Sequence, residues 1–217
     1  MGSEMCIRDR TGTVISFFIG LTATFIATTL GTIAALGLSR PHMPYKGLIM
    51  AILISPMIVP LIITAAGMFF FYARINLVYT FTGVILAHVA LATPFVVITV
   101  TATLVGFDMN MVKASQSLGA RPVRTFFKVI MPLILPGIIS GALFAFITSF
   151  DEVVIVMFMA SLDQLTIPKQ MWAGIRQEIS PVILCMATCL VALSIALLTT
   201  VEMLRRRSER LRGIKQR

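Results

Sequence analysis

Five long apolar runs cut the polar residues of this chain into short islands, and that alternation constrains the fold more than any other feature. Val14 to Leu38 contains no charged residue, and roughly 20 apolar residues are enough for a helix to cross the hydrocarbon of a bilayer. Gly47–Phe71, Thr80–Val105, Pro132–Ala160 and Pro181–Val201 read the same way. The expectation is an all-α integral membrane protein with five transmembrane helices. Thr24, Thr28, Gly31, Thr32 and Ala35 keep one side of the first span small, which lets neighbouring helices approach closely. Pro56 and Pro60 are expected to bend or break the second span, because each removes an N–H donor and clashes with the preceding turn.

Composition closes off the soluble alternatives. Apolar residues make up 58% and charged residues 12%, with mean hydropathy +0.96, so a soluble surface could not be covered. The net charge of +9 is not spread as a nucleic-acid surface would need, and no nucleic-acid partner is expected. Of the 18 Lys and Arg residues, 13 fall in the turn Ser39–Lys46, the loop 106–131 and the tail 205–217. Those segments share one side of a five-span chain, so the positive-inside rule puts them, and the C-terminus, in the cytoplasm. The leader Met1–Arg10 is polar, lacks a signal-peptide core and resembles strings seen at artefactual reading-frame starts. It is read as lying outside a transmembrane domain of residues 11–204.

The longest soluble-looking island runs from Asn110 to Pro136. It carries Lys113, Arg121, Arg124 and Lys128 against one nearby acid, Asp108. Met111, Ala114, Ser115 and Leu118 share a helical face. Gly119 is a natural helix stop where positive φ is often needed, and Arg121-Pro122 reads as a restart with Pro in the first turn. Two short helices joined at a glycine form a docking element, with Phe126 and Phe127 placed to anchor it to the bundle.

This stretch resembles the EAA loop of binding-protein-dependent ABC transporter permeases. Ala114 and Ser115 stand at the two alanines of that pattern, Gly119 at the glycine, and Met131-Pro132 at the closing apolar-Pro pair. Lys113 stands where the family usually has Glu. The flank L-G-A-R-P-V-R-T-F-F-K-V-I-M-P-L-I-L-P-G-I-I-S-G-A-L-F-A-F, with S-F-D-E-V-V after it, is most similar to the spermidine/putrescine branch. The resemblance implies a core like that of methionine-importer permeases and a chain that works without a cofactor of its own. It implies as partners a second permease subunit, an ABC ATPase dimer and an extracytoplasmic binding protein, all around a lipid bilayer. It also implies an ATPase-coupling role for Lys113, Ala114, Ser115, Gly119, Ala120, Arg121 and Pro132. Polyamines are the expected cargo; ferric iron, thiamine or an opine-like solute is the alternative within the family. Relatives in the polyamine branch have six spans, which implies that one N-terminal helix is missing here.

Asp151 and Glu152 are the acids of the fourth apolar run. A carboxylate at the centre of a membrane helix costs about 2.5–3.5 kcal/mol on insertion scales, so it faces a cavity or a partner. Gly141, Ala145, Thr148 and Glu152 fall at helical spacing, with Asp151 beside them. Thr148, Asp151 and Glu152 are therefore candidates for a path taken by a cationic substrate, set against a purely structural role. His88 reads as a packing residue, since no second titratable group lies near it in sequence. Cys185 and Cys189, one turn apart, read as small core residues rather than a metal or redox pair. Arg176 and Glu178 are placed outside, where they would meet a binding protein or solvent. The chain has no Gly-rich P-loop, no His-Glu-x-x-His and no Gly-x-Ser-x-Gly, so it is not expected to be an enzyme. An ion-coupled secondary transporter, the rival class, would be expected to place paired ionisable groups at mid-bilayer.

Overall fold

The computed structural model describes residues 2–40, 43–105, 109–177 and 181–211, and among them there is no strand. The order is α1 (Gly2–Leu38), α2 (Lys46–Ile58), α3 (Leu61–Arg74), α4 (Phe81–Val105), α5 (Met109–Ser117) and α6 (Pro122–Thr125). A π-helical turn, Phe126–Ile130, then leads into α7 (Met131–Phe150). It is followed by α8 (Val154–Met159), a 3-10 turn at Leu162–Gln164, α9 (Ile167–Gln177) and α10 (Pro181–Leu211).

Helices α1, α4 and α7 pack on one another as the central unit. Their contact faces are i, i+4 rows of small residues, the geometry by which ridges of one helix enter grooves of another. On α1 the row is Ile19, Ala23, Ala27, Gly31 and Ala35, all buried. A Cβ on Gly31 would lie 2.7 Å from Val96 Cβ of α4. On α7 the row is Gly137, Gly141, Ala145 and Ser149, also buried, with Gly137 against Thr103 and Gly141 against Thr99 and Val96 of α4. The opposite faces carry Leu21, Phe25 and Ile33 of α1, Ile62 and Phe70 of α3, and Val191 and Ile195 of α10, all exposed. An apolar belt of that extent is the surface of a protein whose solvent is lipid.

Among the described residues, three helical stretches are long and apolar enough to cross a membrane: Arg10–Leu38, Phe81–Val105 and Pro122–Phe150. The second apolar run is broken as expected, but at one proline only. Pro56 is accommodated inside α2, whereas Val59 and Pro60 adopt extended backbone, and α2 and α3 meet there at 105°. The fourth run departs from expectation at both ends. Its helix begins at Pro122 rather than Pro132, and it stops at Phe150 rather than Ala160, with Asp151–Val153 outside regular helix. Glu152 thus does not extend the Gly141–Ala145 face. Between the fourth and fifth apolar runs the chain forms α9. The basic tail continues α10 through Arg205–Arg207 to Leu211. The leader from Gly2 onward is helical and continuous with α1. Cys185 and Cys189 are exposed rather than core.

Candidate functional site

The island between α4 and α7 folds as a helical hairpin whose turn follows from its residues. At the end of α5 the Gly119 N–H donates to the Gln116 carbonyl at 2.9 Å and the Ala120 N–H to the Ser115 carbonyl at 3.2 Å. That pair of bonds is a Schellman cap, and it requires a left-handed residue at the glycine position; Gly119 has φ +79°. The chain then extends at Arg121 (φ −64°, ψ 152°), as a residue before proline prefers. Pro122 opens α6 at its first turn, where a missing N–H costs nothing. The Ser115 and Thr125 hydroxyls meet at 3.0 Å and tie α5 to α6; Thr125 is buried.

Between the two helices lies an open groove of about 600 Å³, lined by Met111, Ala114, Ser115, Leu118, Gly119, Ala120, Arg124 and Val129. The face expected for α5 is the groove wall. Leu118 is 87% exposed at the tip. Lys113, Arg121, Arg124 and Lys128 are exposed, and Asp108 lies outside the described residues. Phe126 is half-buried, but Phe127 is 62% exposed and does not anchor the hairpin within this chain. Sequence reasoning missed how α6 leaves the loop. It passes through the π turn into α7 with helical dihedrals at Phe126, Ile130 and Met131. Pro132, expected to begin the span, sits within that continuous rod. A π turn inside an α-helix is a frequent mark of functional sites. The missing signal was masked by Pro132 itself, which reads as a helix start and here stands ten residues into one that already runs.

The second candidate cluster, Thr148, Asp151 and Glu152, is not brought together as one lining. Thr148 is half-buried on α7, Asp151 is exposed in the break, and Glu152 is 7% exposed. Glu152 Oε1 accepts the Ile155 N–H at 2.9 Å, capping the first turn of α8. At the other end of α8, Lys169 Nζ donates to the Val156 and Ala160 carbonyls at 3.2 and 3.4 Å, and burial lowers the pKa of that ammonium. Helix α8 therefore has a carboxylate at its N-terminus and an ammonium at its C-terminus, the arrangement its dipole favours. Tyr79 fixes the same corner, donating its N–H to the Met159 carbonyl at 2.9 Å and accepting from Gln164 Nε2 at 3.0 Å. His88 is buried in α4 with Nδ1 2.8 Å from Ser149 Oγ of α7, a cross-helix bond and the packing role expected of it. The side chain of Arg176 and all of Glu178 lie outside the described residues. Among the described residues no cluster of His, Cys, Asp or Glu is arranged to hold a metal ion.

Residues 27–210 match the family model for the binding-protein-dependent transport system inner membrane component. The spermidine/putrescine transport system permease protein PotC of Haemophilus influenzae is 30% identical over 194 residues, covering 89% of this chain and 74% of the relative. PotC of Escherichia coli K12 is 29% identical over 184 residues, 85% of this chain and 69% of the relative. The putrescine transport system permease protein PotI of Escherichia coli K12 is 30% identical over 182 residues, 80% and 64% of the two chains. In fold, the chain is similar to an inward-facing MetNI methionine ABC transporter structure, with TM-score 0.67, 18% identity and both chains covered in full. It is likewise similar to an amino acid ABC transporter, with TM-score 0.67, 16% identity and coverage of 94% and 96%. The chain belongs to the binding-protein-dependent transport system inner membrane component family: it is a multi-pass, non-catalytic inner-membrane permease subunit of an ABC importer.

Proposed function

We propose that this permease carries polyamines and that the α5–α6 hairpin is its coupling loop to a cytoplasmic ATPase. The observation that supports the loop most is its mechanical continuity. A hairpin capped at Gly119 and tied by Ser115–Thr125 runs without a flexible joint into α7, which packs on α4. ATP-driven closure of two ATPase subunits would displace the hairpin. Through the Pro122–Phe150 rod it would then tilt α7 against α1 and α4. The cargo reading rests on similarity to polyamine-system permeases along most of the chain.

In this reading the bent α2–α3 pair and α10 complete five spans. The apolar part of α10, 181–201, is about 30 Å long at 1.5 Å per residue, enough to cross hydrocarbon. The basic turn, hairpin and tail face the cytoplasm. A second permease subunit shares the path, and an extracytoplasmic binding protein delivers the solute. Asp151 is the acid we place on the substrate path, because the residue is exposed in the break after α7. Glu152 sets the α7–α8 break that presents Asp151. Two opposite charges about 4 Å apart attract by about 4 kcal/mol at an effective dielectric near 20, before desolvation is subtracted.

The test is uptake of labelled spermidine and putrescine by cells carrying the full transporter set, with and without this chain, against a panel of unlabelled competitors. Uptake that needs the chain and is competed only by polyamines is the expected result. Competition by ferric iron, thiamine or opines in place of polyamines would keep the family and discard the cargo.

A further inference from the structure

We infer that the ATPase surface receiving the hairpin is a cleft with an apolar floor and a rim of carboxylates, so that this permease docks as the cationic partner. The inference rests on the coupling reading above and specifies the chemistry of the partner. Lys113, Arg121, Arg124 and Lys128 are all exposed, and no Asp or Glu occurs anywhere from Met109 to Phe150. The groove of the hairpin is apolar at Met111, Ala114, Leu118 and Val129, with Arg124 the cation on its wall. Exposed Leu118 and Val123 project from the tip region. An exposed apolar groove with charged side chains nearby in the same hairpin has the composition of a docking surface.

The position of Lys113 sharpens the inference. It lies about 150° round α5 from the centre of the groove-lining face, at 100° per residue. Cations thus stand on both sides of the helix, and the partner must embrace α5 rather than lie against one face. Like charges juxtaposed across an interface cost several kcal/mol, whereas complementary ones steer encounter and fix register. A cleft edged with Asp and Glu satisfies both sides of the hairpin; a basic or neutral one leaves four cations with Asp108 as the one nearby acid in sequence. Anionic lipid headgroups would attract the same cations, but a bilayer surface offers no cleft for a hairpin held rigid by a Schellman cap and a Ser–Thr bond.

The experiment uses the complete transporter in nanodiscs made with or without phosphatidylglycerol, reading retention of the ATPase and binding-protein-stimulated ATP hydrolysis across a salt series. Lys113→Glu should weaken ATPase retention about tenfold in both lipid compositions. Wild-type retention should fall as salt rises, and a carboxylate-to-lysine change in the ATPase cleft should restore the Lys113→Glu complex. Retention equal to or tighter than wild type for Lys113→Glu overturns the inference. So does a loss confined to the anionic nanodiscs, which would make the bilayer the partner. Leu118→Asp separates the two levels. If it leaves the ATPase bound, the docking role itself fails; if it releases the ATPase while Lys113→Glu does not, only the charge complementarity fails.

Discussion

Gly119→Val isolates the backbone of the hairpin from everything else in it. A Cβ at Gly119 meets nothing within 4 Å, so the substitution creates no clash within the chain and its cost is conformational. Holding an L-residue in the left-handed region costs about 1–2 kcal/mol, and a β-branched residue belongs at the upper end. If the turn relaxes to avoid that cost, the Gly119–Gln116 and Ala120–Ser115 bonds are lost and α6 re-aims relative to α5. A destabilisation of that size reduces the docking-competent hairpin by roughly 5- to 30-fold. ATP-driven uptake should fall by that factor, measured with the ATPase limiting, while membrane abundance and the thermal unfolding of the detergent-purified permease stay unchanged. Gly119→Asn is the control, since Asn is enriched in the left-handed region, and its loss should be about threefold or less. Wild-type uptake in Gly119→Val would refute the reasoning. Equal losses in the Val and Asn variants would also refute it, because the glycine would then serve contact rather than conformation.

Other expectations follow from the same structure. Gly137→Ala places a methyl group on Thr103 and 3.2 Å from the Thr99 carbonyl. Overpacking of this kind costs about 1–3 kcal/mol, so the melting temperature of the purified permease should drop; an unchanged melt would mean that α4 and α7 are not packed this closely. Glu152→Ala removes the acceptor for the Ile155 N–H and should cost about 0.5–2 kcal/mol as a lost cap, with Glu152→Gln closer to wild type in the same melt. Asp151→Asn should leave the melt unaltered and raise the KM for spermidine several-fold; an unmoved KM removes Asp151 from the path.

The parts of this fold that could be read from sequence are those where backbone chemistry has few solutions. Gly119 followed by Arg121-Pro122 admits a left-handed cap and a restart, and the hairpin has both. Pro56 is absorbed in α2, where the Ser55 hydroxyl donates to the Ile52 carbonyl that the proline leaves free, whereas Val59 turns extended before Pro60 and the helix ends. The fourth apolar run was misread because hydropathy is blind to a break between apolar helices. Nothing from Ala142 to Ala160 punctuates the run as Gly or Pro would, and the signal was instead Glu152, three residues before the Ile155 N–H it caps. The continuity of the Pro122 helix with the fourth span was hidden because Arg124 and Lys128 make a helix that enters the membrane look like loop. For the candidate site, the α5 face was legible from spacing alone. The union of α6 with α7 was not, since it depends on a π turn that has no compositional signature. Glu152 reads in sequence as an acid that invites a substrate or holds structure, and in the structure it accepts a backbone N–H three residues away.

The most direct measurement is accumulation of labelled spermidine in proteoliposomes holding the permease pair, the ATPase and the binding protein, with ATP on the ATPase side. The account predicts accumulation that requires ATP, persists when proton and sodium gradients are collapsed by ionophores, and disappears in Gly119→Val. Accumulation driven by an ion gradient without ATP, or ATP-driven accumulation of a different solute with spermidine excluded, would contradict it.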